Sequence, residues 1–308
     1  MVIANMTSEN FPYQSKFINI LNSKIHYIDE NNCDDTSQVT FICVHGNPSS
    51  SYIWRNIISF LLPKGRVIAM DLVGFGKSDK PNIDYRVLTH SNYFDEFINE
   101  LNLNNIIFVL HDWGTTLGLS YARKNSEKIK GVAFMEGIIR PKKWDFGNPF
   151  VRLIFRLFRT PIVGKLMIIN GNFFVERILL SIGQKRKLTK TEKNYYRQPF
   201  LKKQNRKPIY VFPNEIPING KPKDVYKMVN KNHEWLKTSD VPKLLLWIKT
   251  GVLIKPNHVQ EMKNDYKNIE VEYVGESSHY LQEDFPTEIG QSIVNWNQRI
   301  NRKQKYEQ

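Results

Sequence analysis

Short runs of apolar residues alternate with longer amphipathic stretches along the first half of the chain. The runs are rich in β-branched side chains, are closed by polar or glycine-containing segments, and occupy residues 39–45, 67–70, 106–110 and 132–135. Such runs are typical of strands buried on both faces of a parallel sheet. Between them, residues 86–101 carry apolar side chains at helical spacing. The alternation predicts an α/β fold with a mostly parallel, doubly wound sheet.

The alternation stops after about residue 138. Strand patterns return at residues 243–247 and 271–274, and residues 284–298 predict a closing helix. The two later strands therefore complete the sheet that the first half begins, and the closing helix follows them.

The segment between these two halves is rich in aromatic residues and has helical patches but no strand-like run. Insertions at the carboxyl ends of strands cover the ligand crevice of a doubly wound sheet. We therefore predict a core formed by residues 1–138 and 217–308, and a helical cap formed by residues 139–216 that walls an apolar chamber.

Lysine and arginine outnumber aspartate and glutamate by 44 to 30, so the 308 residues carry a net charge of +14. The basic residues are scattered, with modest clusters at residues 185–187 and 202–203, and no nucleic-acid-binding motif accompanies them. The excess is typical of a solvated surface, and we expect no nucleic-acid partner.

No apolar run reaches the ~18–20 residues that span a bilayer. The first residues have no basic segment followed by an apolar stretch, as a secretory signal would. We expect a cytoplasmic protein without a membrane partner, acting as a monomer or a weak homo-oligomer. Cys33 in a polar stretch and Cys43 in an apolar run predict one loop thiol and one core thiol rather than a redox pair. No Cys/His set has zinc spacing, and we expect no metal.

Asp112 stands at the most informative position of the sequence. It follows the apolar run 106–110 and precedes Trp113, Gly114 and a helical pattern. This is the form of a nucleophile elbow, in which a strained strand-to-helix turn holds the nucleophile. Aspartate is also a good helix cap, and the residue alone does not decide between the two roles. A carboxylate nucleophile displaces a leaving group from an sp³ carbon, and the resulting ester must then be hydrolysed.

Hydrolysis of such an ester needs a base, normally a histidine oriented by a carboxylate. Among seven histidines, His279 lies in the loop after the last predicted strand, where α/β hydrolases place their histidine. The orienting acid must come from another strand end. The loop at residues 248–251 contains no acid, whereas Glu136 follows the run 132–135 directly, so we assign the acid to Glu136.

Two neutral donors are expected beside this nucleophile. Asn47 lies in the loop after the run 39–45, which donates backbone N–H groups to the oxyanion hole of hydrolases. Trp113 adds an indole N–H, which can only donate. Two such donors near Asp112 are suited to a departing halide ion, with a packing role as the alternative for Trp113.

Taken together, these motifs resemble the haloalkane dehalogenases of the α/β-hydrolase superfamily. The likeness extends over about residues 18–297. The motifs that carry it follow one another along the chain: His-Gly-Asn-Pro at 45–48, Ser-Tyr-Ile-Trp-Arg at 51–55, Asp-Leu-Val-Gly-Phe-Gly-Lys-Ser at 71–78, His-Asp-Trp-Gly at 111–114, Asn-Phe-Phe-Val-Glu at 172–176, Phe-Pro-Asn-Glu at 212–215 and His-Tyr-Leu-Gln-Glu-Asp at 279–284.

The resemblance implies an α/β-hydrolase fold in which Asp112 is the nucleophile, His279 the base and Glu136 its partner, with Asn47 and Trp113 binding halide. The implied reaction is hydrolytic dehalogenation of a small apolar haloalkane to an alcohol and a halide ion. It passes through a covalent alkyl-aspartate ester and uses water but no cofactor or metal.

We expect the wall of the chamber to include Phe173, Pro213, Val252, Leu253 and Tyr280. Three stretches depart from the family pattern. Residues 248–249 are Ile-Lys where small residues are usual, residues 145–149 differ from the family's Trp-Pro stretch, and Ser277-Ser278 replace a glycine and an apolar residue. These departures concern the chamber and its tunnel rather than the catalytic set.

Other functions on the same fold stay open. Epoxide hydrolases also use an aspartate, but they need an acid for the developing alkoxide, usually cap tyrosines, and Tyr195 and Tyr196 would be candidates. Asn47 favours a halide instead. The coelenterazine-oxidising luciferases of sea pansies resemble the same family, with the same Asp, Glu and His. A ligand-binding receptor is a further alternative, although such receptors generally lack a complete nucleophile, base and acid.

Overall fold

The apolar runs of the sequence form strands of a single sheet. In the computed structural model, which describes residues 8–31, 39–144 and 149–306, this sheet has eight strands. In chain order they are β1 (Ser15–Ile20), β2 (Ser23–Glu30), β3 (Thr40–Val44), β4 (Arg66–Met70), β5 (Ile106–His111), β6 (Ile129–Met135), β7 (Lys243–Ile248) and β8 (Ile269–Gly275). Their order across the sheet is β1-β2-β4-β3-β5-β6-β7-β8. The β1–β2 and β2–β4 pairs are antiparallel and all other pairs are parallel.

Helices connect these strands. The α-helices are α1 (Arg55–Leu61), α2 (Val87–Glu100), α3 (Trp113–Lys124), α4 (Pro149–Phe158), α5 (Pro161–Gly164), α6 (Lys190–Arg197), α7 (Lys207–Glu215), α8 (Lys223–Thr238), α9 (Pro256–Asp265), α10 (Leu281–Asp284) and α11 (Pro286–Tyr306). Two π-helical segments, Lys165–Asn170 and Phe174–Ile182, follow α5. Short 3₁₀ turns cover Ser51–Trp54, Leu62–Lys64, Ser126–Lys128, Gln198–Phe200 and Lys203–Arg206. No helix in the described part of the chain is long and apolar enough to cross a membrane.

The centre of the sheet is the core of the molecule. Every residue of β3 and β5 is buried, which requires cover on both faces of the sheet and explains why these strands are continuous apolar runs. Two separate groups of helices provide this cover: α1 packs against α11, and α3 packs against α2 and α8. The predicted α/β fold is confirmed.

The direction of strand addition reverses beside β3. Strand β4 lies on one side of β3, and β5 lies on the other. In open α/β sheets the ligand crevice forms at such a reversal, outside the carboxyl ends of the strands. Asn47 follows β3 and Asp112 follows β5, so the topology places both residues at this crevice.

The helical segment 149–216 between β6 and α8 lies above that crevice. Helices α4, α5 and α7 and the π-helix Lys165–Asn170 pack against one another. A buried charge cluster joins α6 to the rest of the molecule: the Arg55 guanidinium donates to Glu192 of α6 and to Glu283 of α10, each at 2.7 Å. Arg186 donates to both carboxylates as well.

Candidate active site

Asp112 lies on a strained turn between β5 and α3. Its backbone has φ 51° and ψ −123°, a conformation that is unfavourable for a residue with a Cβ. Two glycines make the turn possible. A Cβ on Gly46 would lie 2.2 Å from Asp112 Oδ2, and one on Gly114 would lie 2.3 Å from the Val44 carbonyl oxygen. The chain therefore forms the tight strand-to-helix turn that the sequence predicts.

The Asp112 carboxylate is buried and points into the crevice rather than capping α3. Its Oδ2 accepts a hydrogen bond of 2.7 Å from the Asn47 backbone N–H, and the Trp113 backbone N–H also donates to the carboxylate. Burial raises the pKa of Asp112, while the positive charge of His279 and these two N–H groups oppose the increase. The result is a desolvated carboxylate with few hydrogen bonds to restrain its attack on an electrophile.

His279 connects the two carboxylates. Its Nε2 lies 3.8 Å from Asp112 Oδ1, and its Nδ1 lies 3.3 Å from Glu136 Oε2. Burial lowers the pKa of His279, but the hydrogen bond to Glu136 and the negative charges of both carboxylates raise it above the usual value. The contact with Glu136 leaves Nε2 facing Asp112, as a base that activates water beside this carboxylate requires.

Glu136 is held by the loop that follows β7. The backbone N–H groups of Val252, Leu253 and Ile254 donate to its carboxylate at 2.7, 3.1 and 3.0 Å. A Cβ on Gly251 would lie 2.3 Å from Glu136 Oε1, so this loop passes the carboxylate at a distance that only glycine allows. The loop thus supplies donors to an acid that comes from another strand.

His111 is a site residue that the sequence reasoning missed. It is fully buried, its Nε2 lies 2.9 Å from the His279 carbonyl oxygen, and the two imidazole rings are 4.6 Å apart. Burial and the neighbouring His279 hold the pKa of His111 well below its usual range. Because a carbonyl oxygen only accepts, Nε2 carries the proton. Its position directly before Asp112 is the one sequence signal that could have indicated it.

A cavity of about 160 Å³ opens above Asp112. Its lining is mostly apolar and comes from both the sheet ends and the helical segment: Asn47, Asp112, Trp113, Phe150, Val151, Ile154, Phe155, Phe158, Phe174, Ile178, Ile182, Gly183, Pro213, Ile216, Val252, Leu253, Ser278, His279 and Tyr280. The expected nucleophile, the expected base and the two expected halide donors therefore face one chamber.

Four of the five residues expected in the chamber wall line it, and one does not. Pro213, Val252, Leu253 and Tyr280 are lining residues. Phe173 instead borders a separate surface pocket, and its neighbour Phe174 lines the chamber. The expectation for Phe173 is therefore corrected to Phe174. Phe173 immediately precedes the π-helix Phe174–Ile182, and a shift of one residue there points the side chain in another direction.

Tyr280 joins the chamber to the Asn47 loop. Its hydroxyl donates to the Asn47 carbonyl oxygen at 3.0 Å, and its backbone N–H donates to the Gly183 carbonyl oxygen at 2.8 Å. Trp113 packs on Phe212, with ring centroids 5.4 Å apart. Both contacts fix side chains around the space beside Asp112.

The stretches that depart from the family pattern affect this chamber unequally. Ile248 is buried in β7, and Lys249 is an exposed residue whose Nζ lies 3.3 Å from Glu276, so neither lines the chamber. Ser278 is a lining residue, whereas Ser277 is not. Residues 145–148 of the stretch 145–149 lie outside the described residues, as does Cys33. Cys43 is the buried free thiol that the sequence predicts.

Comparison with known proteins agrees with this geometry. Residues 39–286 match the family model for the alpha/beta hydrolase fold, which establishes the class of the molecule. Within that class the chain belongs to the haloalkane dehalogenases. It is 40% identical to a haloalkane dehalogenase of Mesorhizobium japonicum, over 91% of this chain and 89% of the relative, and 39% identical to one of Bradyrhizobium diazoefficiens, over 90% and 92%.

Solved structures give the same result. The crystal structure of haloalkane dehalogenase DbeA from Bradyrhizobium elkani is 39% identical, with a TM-score of 0.89 over 94% of this chain and 99% of that chain. That of haloalkane dehalogenase DatA from Agrobacterium tumefaciens C58 is 30% identical, with a TM-score of 0.87 over 93% and 97%.

Proposed function

We propose that the protein hydrolyses the carbon–halogen bond of small apolar haloalkanes, giving an alcohol, a halide ion and a proton. The observation that carries this proposal is the buried carboxylate of Asp112, which faces an apolar chamber with the His279 imidazole 3.8 Å away. The segment 139–216 serves as the cap over the core formed by residues 1–138 and 217–308.

In the first step, Asp112 attacks the carbon that bears the halogen, an ester bond forms, and the carbon–halogen bond breaks. The apolar chamber holds the substrate against the carboxylate and keeps water from solvating it. The electron pair of the broken bond leaves with the halide, which accepts hydrogen bonds from the Asn47 amide and the Trp113 indole. Both side chains line the chamber beside Asp112.

In the second step, His279 removes a proton from water and the hydroxide attacks the ester carbonyl carbon. Glu136 stabilises the imidazolium that results. The backbone N–H groups of Asn47 and Trp113, which already donate to the Asp112 carboxylate, stabilise the oxyanion. Collapse of this intermediate releases the alcohol and restores Asp112.

Epoxide hydrolysis is supported less well than dehalogenation. Tyr195 and Tyr196 were the candidate acids for an alkoxide, and neither lines the chamber. The Tyr196 hydroxyl donates to Glu283, and Tyr195 stacks on Tyr52 with ring centroids 4.3 Å apart. Tyr280, which does line the chamber, directs its hydroxyl to the Asn47 carbonyl oxygen.

The active protein is proposed to work in the cytoplasm, as a monomer or weak homo-oligomer, with no nucleic-acid partner. The absence of light emission with coelenterazine would separate it from the luciferases that share its catalytic residues.

The ester intermediate provides the test. In His279→Gln, alkylation of Asp112 by 1-bromobutane proceeds while ester hydrolysis stops, so intact-mass analysis should show a single butyl adduct and one equivalent of bromide. The matched variant Asp112→Asn should show neither. An unmodified mass for His279→Gln, with the wild type active, would overturn the covalent mechanism.

A further inference from the structure

The segment 149–187 concentrates the positive charge of the molecule. It contains eight Lys and Arg residues against a single acid, Glu176, a formal charge of +7. This is half of the net charge of +14 in about one-eighth of the chain. The cations at exposed positions are Arg156, Lys165, Arg177, Lys185 and Lys187.

The same segment exposes large apolar side chains. Their exposed fractions lie between 53% and 75%, and they are Phe150, Leu153, Ile162, Leu166 and Ile182. Single exposed apolar residues are ordinary on a protein surface, but several on adjoining elements indicate a binding face. Helix α4, which carries Phe150 and Leu153, packs against α5 and the π-helix Lys165–Asn170, which carry Ile162 and Leu166.

Two of these apolar residues lie at the entrance of the chamber. Phe150 and Ile182 are lining residues of the cavity and are also 67% and 60% exposed, so they mark where the chamber meets solvent. They lie on two different helical elements, α4 and the π-helix Phe174–Ile182. We call the five exposed apolar residues and the five exposed cations of this segment the mouth face.

We propose that the mouth face docks on the surface of a membrane that carries anionic lipids. Its apolar side chains enter the boundary between headgroups and acyl chains, while its cations interact with the lipid phosphates. The contact is peripheral, since no helix in the described residues can span a bilayer. This proposal replaces the sequence-based expectation of no membrane partner, which rested on the lack of a spanning segment and of a secretory signal.

Docking would give the chamber a direct source of substrate. A neutral haloalkane partitions from water into the acyl region, and the mouth face would place the entrance at the boundary of that phase. This use of the contact rests on the proposed function, whereas the membrane binding itself does not.

A bilayer accounts for the mouth face better than the other anionic partners. The phosphates of a nucleic acid would attract the cations, but exposed leucine and isoleucine side chains gain nothing from a phosphate backbone. An acidic protein seated here would cover Phe150 and Ile182 and thereby close the chamber. A lipid surface offers phosphates to the cations and an acyl region to the apolar side chains. It also leaves the chamber open to apolar substrate.

The test is sedimentation of the full chain with vesicles, without any substrate. Vesicles of phosphatidylcholine containing about one-third phosphatidylglycerol should bind the wild type at about 0.05 M salt, and binding should weaken at about 0.5 M salt. The charge variant Lys165→Glu/Arg177→Glu/Lys187→Glu should lower the partition coefficient about a hundredfold. The apolar variant Leu153→Ser/Ile162→Ser/Leu166→Ser should lower it at least about tenfold.

Matched control variants change the net charge or remove exposed apolar side chains elsewhere on the surface. The variant Lys64→Glu/Lys231→Glu/Lys263→Glu alters the net charge by the same amount as the charge variant. The variant Leu21→Ser/Leu88→Ser removes exposed leucines that lie outside the segment 139–216. For both control variants, the partition coefficient for vesicles should lie within about threefold of the wild-type value. None of the substituted residues lines the chamber, so all variants should hydrolyse 1-bromobutane in solution at the wild-type rate.

The outcomes separate this inference from the proposed function. Failure of the wild type to sediment with anionic vesicles, or equal losses in the test and control variants, would overturn docking. So would binding that the apolar variant leaves unchanged, because that result identifies a general polycation that prefers nucleic acid or acidic protein. Vesicle binding by a protein without dehalogenase activity would support docking and refute the proposed function.

Discussion

The roles proposed for Asp112 and His279 both require a deprotonated side chain, and both residues lie in the same buried site. Asp112 must be anionic to attack, and its pKa is raised by burial. His279 must be neutral to activate water, and its pKa is raised because the hydrogen bond to Glu136 and the two carboxylates outweigh burial. Acid therefore impairs both steps, but it should impair ester hydrolysis first, since His279 starts from the higher ordinary pKa. Alkylation also removes the charge of Asp112, which weakens one cause of the raised pKa of His279.

We therefore expect the wild type to accumulate the alkyl ester in mildly acidic solution. At about pH 5, below the raised pKa of His279, the imidazole is protonated, while the backbone N–H groups and the charge of His279 favour the anionic form of Asp112 that attacks. Rapid acid quenching during turnover of 1-bromobutane, followed by intact-mass analysis, should show a large butyl-enzyme fraction at about pH 5 and a small one at about pH 8. Slow turnover at the lower pH without accumulation of the adduct would mean that alkylation limits the reaction there.

We infer that His111 positions His279 through the hydrogen bond to its main-chain carbonyl oxygen. His111→Phe keeps a buried ring but loses the hydrogen bond to the His279 carbonyl oxygen. We expect kcat to fall about tenfold, with the loss in ester hydrolysis rather than in the bromide burst, because a hydrogen bond of about 1–2 kcal/mol positions the base. Single-turnover measurement of the two steps checks this.

His90→Phe is the matched control, since His90 is also a buried histidine and does not line the chamber. It should leave both steps near the wild-type rates. Equal slowing of the burst and of hydrolysis in His111→Phe would indicate a general structural effect instead.

Residues at strand ends could be predicted from the sequence because their position follows from the strand before them. Glu136 directly follows an apolar run, Asp112 and Asn47 each come two residues after one, and the parallel sheet brings their loops to one edge. Phe173 could not be distinguished from Phe174, because the wall there is a π-helical turn that the pattern of apolar residues does not specify. The N–H groups of residues 252–254 were missed because backbone donors have no sequence signature.

At the scale of elements, a buried charge cluster fixes the helical segment on the core. Arg55 contacts Glu192 of α6 and Glu283 of α10, and all three side chains are at most 2% exposed. Glu283 lies four residues after His279, so the cluster also anchors the loop that carries the base. The sequence indicated the helices on both sides of this contact but not their pairing. Arg55 is separated from Glu192 by 137 positions and from Glu283 by 228 positions, and contacts over such separations leave no local pattern in the sequence.

Arg55→Met should destabilise the protein strongly. It removes one of the two arginines that pair with the buried carboxylates of Glu192 and Glu283, and breaking a buried ion pair from one side costs about 3–5 kcal/mol. Urea unfolding should show this loss. Arg299→Met, which removes an exposed Arg paired with Glu270 and Glu272, should cost no more than about 1 kcal/mol. Similar losses in the two variants would show that the buried cluster does not stabilise the fold.

The net charge of +14 acts on the product rather than on the substrate. A haloalkane is neutral, whereas the halide that must leave the chamber is an anion. A strongly cationic protein raises the local concentration of small anions, and salt screens this effect over about 10 Å at 0.1 M. Product inhibition by halide should therefore depend on ionic strength, while substrate binding should not.

We expect the inhibition constant for bromide to rise about threefold when a halide-free salt such as sodium acetate is raised from about 0.02 to 0.3 M. The KM for 1-bromobutane should stay constant over the same range, because a neutral substrate feels no long-range field. The variant Lys64→Glu/Lys231→Glu/Lys263→Glu, which lowers the net charge from +14 to +8, should show a shallower rise, although none of its changes touches the chamber. Steady-state inhibition at several salt concentrations measures all three quantities. Two outcomes would contradict this prediction: a bromide inhibition constant that does not respond to salt, or a KM that rises in parallel with it. Either result would mean that contacts of the halide inside the chamber determine how strongly the product is retained. The electrostatic field of the protein would then have no such role.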